Sequence, residues 1–166
     1  MSKNVEVDID RDNESPVLQT DQRLKKIDAK AGDYISRFGC LYRSLQFLVE
    51  TKHETFLTPQ EIIDLYHRAV EYNLMEENCR VKDHRGILRE VERAFGVAEN
   101  AQYLYRSGSF DNGGSPNAFI LEIDTEVENY NHFLVARDKD SDETLWDPYF
   151  PYMKKLGIIS RRRYRV

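Results

Sequence analysis

Residues 34–45 read YISRFGCLYRSL, and this stretch decides the fold because it places a cysteine at the start of a helix. Leucines recur at steps of four and three between positions 41 and 48, which predicts an amphipathic helix over about residues 38–51. Gly39 and Cys40 lie at its N-terminal edge. There the helix dipole and unpaired backbone N–H groups favour a thiolate over a thiol. The pattern indicates that Cys40 is a nucleophile.

The chain has two cysteines, Cys40 and Cys79, too far apart in sequence for a CxxC metal pair. Free thiols are expected because no secretory signal is present. The backbone N–H of Cys40 could donate to a developing oxyanion, and Gly39 would let a substrate approach closely. The alternative is that Cys40, like Cys79, is a small buried core residue.

A second group of candidate residues lies in HFLVAR (132–137) and ETLWDP (143–148). If four residues form the turn between two strands, Arg137 faces Asp142 across the pair, which opposite charges favour. His132 then faces Asp147 on the same side, where a carboxylate can orient the imidazole. A three- or five-residue turn would move Asp147 to the other face. The alternative is a half-buried histidine and an Asp-Pro turn.

The remaining patterns predict helices before strands. Thr58-Pro-Gln-Glu61 has the form of a capping box that opens a helix to about Asn73, and a third helix is expected from about His84 to Phe95. Period-2 segments follow from residue 102 onward. We therefore expect an α+β fold with an antiparallel sheet, in one domain over residues 21–166 after an acidic flexible tail, 1–20.

Composition excludes several classes of protein. The 166 residues carry a net charge of −5, so nucleic acid is an improbable partner for the whole chain. No apolar run approaches the roughly 20 residues of a membrane span. With no signal peptide, a cytoplasmic location is expected. Residues 154–166 are rich in Lys and Arg, which predicts an edge strand protected by charge, or a segment that contacts phosphates.

No cofactor is expected. Asp138, Asp140 and Asp142 imitate the opening of a calcium loop. However, Glu143 stands where the loop needs glycine, and Tyr149 where it needs the bidentate glutamate. No metal or organic cofactor is therefore predicted.

Together, YISRFGCLYRSL, HFLVAR about 90 residues later, and the LWDP that ends in Asp147-Pro148 resemble the C39-like branch of papain-like cysteine peptidases. The resemblance covers about residues 30–151. It implies a papain-like fold whose nucleophile, at a helix N-terminus, packs on a C-terminal antiparallel sheet. It also implies a catalytic triad of Cys40, His132 and Asp147. A small uncharacterised spirochaete family shares the same Gly-Cys and His-Phe elements.

Two positions depart from that family. It usually carries a glutamine some six residues before the cysteine, whose amide completes the oxyanion hole, and Tyr34 stands there instead. Leu41-Tyr42 replaces the Gly-Pro that commonly follows the cysteine. The residues left as oxyanion or substrate-binding candidates are Gly39, Tyr34, Ser36 and Gln22.

The resemblance implies a thiol hydrolase that cleaves a peptide or amide bond. Its partner would be a peptide or protein substrate, or a peptidoglycan peptide if the gene belongs to a phage or plasmid system. Because the usual glutamine is missing, the alternative is an inactive papain-like domain that binds a peptide or protein.

Overall fold

The computed structural model describes residues 15–106, 116–127, 131–138, 143–149 and 155–166. Within these ranges the chain forms five helices followed by five strands, the predicted α+β order. The helices are α1 (Gln22–Ile27), α2 (Ala29–Phe38), α3 (Cys40–His53), α4 (Pro59–Glu71) and α5 (His84–Phe95). The strands are β1 (Gln102–Arg106), β2 (Ala118–Thr125), β3 (Asn131–Ala136), β4 (Thr144–Trp146) and β5 (Lys155–Arg165).

Local capping signals set the helix boundaries. The Thr58 side chain accepts from the backbone N–H of Glu61, and the Glu61 side chain accepts from that of Thr58, so the predicted capping box is present at the start of α4. The Asp83 side chain caps α5 by accepting from the backbone N–H of Gly86. Gly96 ends α5 in the left-handed conformation, with φ of 70°. The predicted α5 boundaries are confirmed.

All strand pairs are antiparallel, and the order across the sheet is β1-β5-β2-β3-β4. The prediction that the arginine-rich C-terminal segment is an edge strand was wrong, because β5 lies between β1 and β2. Its arginines pair within the sheet: Arg165 donates to Gln102 at 2.8 Å, and Arg162 lies 3.4 Å from Glu122. Charge in this strand therefore serves side-chain pairing rather than edge protection. Lys154 lies outside the described residues.

The helices cover one face of the sheet. The main core joins buried side chains of all five helices to residues such as Ile120, Val135 and Tyr164. A second buried cluster, which includes Phe119, Leu121 and Leu134, lies in strands β2 and β3. Among the described residues, no helix is long and apolar enough to cross a membrane.

The folded part of the chain begins before residue 21. Val17 and Gln19 are buried, and the N–H of Gln19 donates to the carbonyl of Pro148 at 2.8 Å. The predicted tail boundary at residue 20 is therefore too late, since burial and this long-range hydrogen bond fix residues 17–19 against the domain. Residues 1–14 of the predicted tail lie outside the described residues.

Candidate active site

Cys40 is the first residue of α3, directly after the cap residue Gly39. Gly39 alone separates α2 from α3, and a Cβ added there would lie 2.5 Å from the carbonyl oxygen of Ile35. A side chain at Gly39 would therefore clash with Ile35 in α2, a reason for glycine that is independent of the predicted approach of a substrate. The tight joint fixes the direction of α3 and leaves Cys40 at its N-terminus, where the first N–H groups of a helix lack intrahelical acceptors.

His132 joins the thiol to a carboxylate. Its Nε2 lies 2.6 Å from Oδ1 of Asp147, and the Cys40 side chain lies near enough to the imidazole to favour its protonation. His132 is the second residue of β3, and Asp147 directly follows β4. The Asp147 oxygen also accepts from the N–H of Tyr149 at 2.9 Å, and the Tyr149 ring meets the imidazole edge-on. The three predicted triad residues lie together.

The register that brings His132 to Asp147 differs from the predicted one. The N–H of Arg137 donates to the carbonyl of Glu143, one residue beyond the predicted partner Asp142, which lies outside the described residues. A β-bulge then adds one further residue to β4, so Val135 pairs with Trp146. Two one-residue shifts restore the side-chain alternation, because its period is two. The contact between His132 and Asp147 is therefore present, although the predicted strand register was wrong.

The charges of the site favour an ion pair. Burial of His132 works against its protonation, but the hydrogen bond to Asp147, with a further contribution from the neighbouring Cys40, outweighs it and raises the pKa of His132 to about 9. The imidazole is therefore protonated at neutral pH.

Cys40 borders an open cleft that we name the thiol cavity. It measures about 440 Å³, and its walls include Cys40, Cys79, Phe133, His84 and Arg162. Cys40 itself is only 5% exposed, and His132 is fully buried. The thiol therefore reaches a ligand-sized space while the imidazole behind it is kept from bulk water.

The matched family covers this whole constellation. The family model described as "Protein of unknown function, DUF261" matches residues 22–166. This chain belongs to the DUF261 family. No curated protein and no protein of solved structure matches it. The matched range contains Cys40, His132 and Asp147, and it begins after the buried residues Val17 and Gln19.

A buried ionic network in this DUF261 chain supports the strand that leads to Asp147. Arg43, one turn beyond Cys40, pairs with Glu50 at 3.1 Å and donates twice to the carbonyl of Val17, at 3.0 and 2.9 Å. Its guanidinium lies over the ring of Trp146, which also stacks on Phe47. Trp146 directly precedes Asp147, so α3 positions both the thiol and the strand end that carries the carboxylate.

Sequence reasoning missed Gln19. Its fully buried amide donates to the carbonyls of Ile35 and Ser36, at 3.3 and 3.0 Å, in the last turn before Gly39. Its backbone reaches Pro148 on the other side. Gln19 therefore joins the end of α2 to the Asp147 loop. No sequence signal could have found it, because the contact spans 129 positions between Gln19 and Pro148 and follows no local period.

The predicted oxyanion candidates take other positions. Gln22 is exposed, and its amide donates to the carbonyl of Thr20. Tyr34 is half-buried against the core, and Ser36 offers its carbonyl to Gln19. Within the described part of the chain, no hydrogen bond joins Tyr34, Ser36 or Gln22 to Cys40. The backbone N–H of Cys40, the first residue of α3, stays a predicted oxyanion donor.

Metal chemistry has no ligand set in the described ranges. Within residues 15–106 and the four later segments, no group of three or more His, Cys, Asp or Glu side chains is arranged to hold a metal ion. The chemistry that the described site can perform is that of a thiol, an imidazole and a carboxylate.

Proposed function

We propose that this protein is a thiol hydrolase of the papain-like, C39-like kind, which cleaves a peptide or amide bond. The observation that carries the proposal is that the Asp147–His132 hydrogen bond of 2.6 Å lies beside the side chain of Cys40. Nucleophilic catalysis by cysteine requires this series: a thiol, a base within reach of it, and a third group that orients the base. The position of Cys40 at the start of a 14-residue helix supports it further.

The residues divide the reaction between them. The Cys40 thiolate attacks the carbonyl carbon, and the carbonyl oxygen becomes an oxyanion that accepts from the backbone N–H of Cys40. The His132 imidazolium gives its proton to the leaving amine, which leaves a thioester on Cys40. Neutral His132 then takes a proton from water as the water attacks the thioester, and the acid product departs with the thiol restored. Asp147 holds the ring orientation and stabilises the imidazolium throughout.

The architecture supports the same proposal. The nucleophile begins a helix, the histidine lies on the adjacent strand β3, and the carboxylate follows β4. The substrate under this proposal is a peptide or protein, with a peptidoglycan peptide as the variant expected for a phage or plasmid gene. The volume of about 440 Å³ lies within the size range of ligand-binding clefts.

Differential alkylation tests the proposal. The native protein is treated with iodoacetamide at about pH 6, and labelling of Cys40 and Cys79 is followed separately by peptide mass spectrometry. Burial raises the pKa of the Cys79 thiol, with a further contribution from Cys40, so Cys79 serves as an internal slow reference. We expect Cys40 to react at least about tenfold faster than Cys79, and His132→Ala to remove most of that advantage.

The matched control is His67→Ala, because His67 is 56% exposed and pairs with Asp28 far from the thiol. It should leave Cys40 labelling unchanged. Equal, slow labelling of both cysteines in the folded wild-type protein would overturn the catalytic proposal. Turnover is then sought by mass spectrometry of a mixed peptide library and of peptidoglycan fragments.

A second candidate function is a papain-like domain that binds a peptide without cutting it. The observation that favours it is the occupation of both amide donors of Gln19 by the carbonyls of Ile35 and Ser36, so they are not directed at a substrate oxygen. Losing one oxyanion donor costs about 100- to 1,000-fold in rate. Fast, His132-dependent labelling together with peptide binding but no cleavage would select this function.

A further inference from the structure

Apolar and basic side chains together line the thiol cavity. Four apolar side chains line it, Phe38, Leu41, Val81 and Phe133, and it reaches Cys40. Two arginines also line it, Arg80 and Arg162. Among the described residues that form its walls there is no aspartate and no glutamate. A ligand in this space therefore meets apolar contacts and positive charge within reach of the thiol.

The two arginines differ in availability. Arg80 is 78% exposed and is paired at 3.1 Å with Glu76, four residues earlier in the sequence. Arg162 is 12% exposed, and its guanidinium lies over the Phe133 ring at 4.7 Å. Its Nη1 is buried and has no hydrogen-bond partner among the described residues. A buried guanidinium donor without an acceptor is rare in folded proteins, and a ligand oxygen would satisfy it.

Glu122 engages only the other end of that guanidinium. Arg162 Nη2 lies 3.4 Å from Glu122 Oε1, which also accepts from the hydroxyl of Ser160 at 2.9 Å. The second oxygen of Glu122 accepts from the amide of Asn131 at 3.1 Å. Both carboxylate oxygens therefore have partners, and neither is paired with Nη1.

His84 adds polarity but no competing charge. Burial, and then the nearby Arg162, lower the pKa of His84 to about 4, so its ring is neutral at neutral pH. Its Nδ1 is bound to the hydroxyl of Tyr164 at 2.8 Å, and the ring stacks on Tyr103. His84 therefore brings no charge of its own to the cavity wall beside Arg162.

We propose that the thiol cavity binds a carboxylate of the substrate residue next to the scissile bond, with Arg162 as the group that recognises it. The inference rests on the proposed function and names its substrate class. A guanidinium presents planar N–H donors that match a carboxylate, and Phe133 holds the plane of Arg162 in place. The carboxylate belongs either to an Asp or Glu side chain or to the end of a peptide chain.

Binding to a protein that cannot react gives the first test. Cys40→Ser protein is titrated calorimetrically with N-acetylated, C-amidated tetrapeptides that carry Glu or Gln at one internal position. A third peptide keeps Gln but has a free C-terminus. We expect one carboxylate form to bind about tenfold or more tightly than the neutral peptide, the usual contribution of a charge-assisted hydrogen bond. Which of the two binds identifies the source of the carboxylate.

The same titration with Arg162→Gln should abolish the preference, whereas Arg80→Gln, the matched control on the same cavity, should keep it. The comparison of Glu with Gln peptides in the parent protein needs no arginine variant, so a misfolded Arg162→Gln protein does not block the test. Equal affinity for all three peptides, or no binding by any, would overturn the inference.

A reactivity test separates this inference from the proposed function. Iodoacetate carries a carboxylate and iodoacetamide a neutral amide, and both alkylate the same thiol. We expect Arg162→Gln to lower the ratio of the iodoacetate rate to the iodoacetamide rate at Cys40 by about tenfold. An unchanged ratio, with iodoacetamide labelling still dependent on His132, would overturn the proposed recognition of a carboxylate by Arg162. It would not contradict the hydrolase proposal.

Discussion

Two clusters of buried charged side chains lie at helix α3. They differ in whether their hydrogen-bond donors and acceptors find partners within the chain. At the Arg43–Glu50 pair, both side chains are fully buried, and the partners include the carbonyl of Val17 and the N–H of Leu57. At the other cluster, the Cys40 thiol and the nearby Arg162 guanidinium both border a cavity of about 440 Å³. The first cluster is completed within the chain, and the second presents a thiol and a cationic donor to a ligand-sized space.

The difference teaches how to read buried charge. Glu50 meets a cation and a backbone donor at 3.1 and 2.7 Å, so its partners hold three parts of the chain together. Such a cluster specifies structure, and removing one member leaves the other charge uncompensated. His132 instead holds its charge between a carboxylate and a thiol, and the thiol is the one member that a ligand can reach. Stability is expected to depend on the first cluster and reactivity on the second.

The largest effect should come from Arg43→Met. The variant keeps apolar bulk beneath Trp146 but leaves Glu50 buried without its cation, which costs about 3–5 kcal/mol of unfolding free energy. Urea unfolding followed by circular dichroism measures the loss. Arg80→Met is the control and should change stability by less than about 1 kcal/mol, because Arg80 is exposed. Equal losses for the two variants would contradict the distinction between the clusters.

The next effect is the dependence of stability on pH. The pKa of His132 is raised to about 9 in the folded state, against about 6.5 when unfolded. Its contribution is therefore fully present below pH 6.5 and is lost as pH rises through 9, by up to about 3 kcal/mol. His84 acts oppositely, since its lowered pKa of about 4 removes stability as pH falls below 6.5. Urea unfolding at pH 5, 6.5 and 9 should give a maximum near pH 6.5, and a flat profile up to pH 9 would exclude the ion pair.

The smallest change in free energy is expected for Asp147→Asn. The asparagine oxygen can still accept from the N–H of Tyr149, so the loop should remain folded. Without the negative charge, burial favours neutral imidazole and the pKa of His132 falls. Cys40 labelling by iodoacetamide at pH 6 should slow by about tenfold, which corresponds to about 1.4 kcal/mol, and the unfolding free energy should fall by no more than about 3 kcal/mol, the amount that the raised pKa of His132 contributes. Proton NMR of the histidine ring measures the fall in pKa, and a large loss of stability without a loss of labelling would assign Asp147 to the structural class.

Local signals made the helices predictable. The Thr58–Glu61 capping box and the left-handed Gly96 both depend on residues within one turn of the helix end, and both lie where the pattern placed them. Residues 21–36 offered no such pattern. They form two helices, which meet at Asp28, the cap that accepts from the N–H of Ala31.

Long-range pairing made the rest unpredictable. The interior place of β5 depends on β1, more than 50 residues earlier, and no charge pattern in β5 itself encodes that partner. The register differs from the predicted one by two residues, partly because of the bulge in β4. Since side chains alternate with a period of two, His132 still lies beside Asp147. Residue types at the triad could therefore be predicted from sequence, whereas Gln19 and Arg162 acquire their roles only when distant segments meet.

The residues of the candidate site lie far apart in sequence, so the ribosome produces them at different times. Cys40 leaves the ribosome more than 100 residues ahead of Asp147, an interval of roughly 5–20 seconds at ordinary elongation rates. During that interval the helix that carries Cys40 has no His132 beside it, and the thiol keeps an ordinary, slow chemistry. The contact of Gln19 with Pro148 likewise waits for the end of the chain. Under the proposed function, translation thus produces Cys40 well before the residues that would activate it.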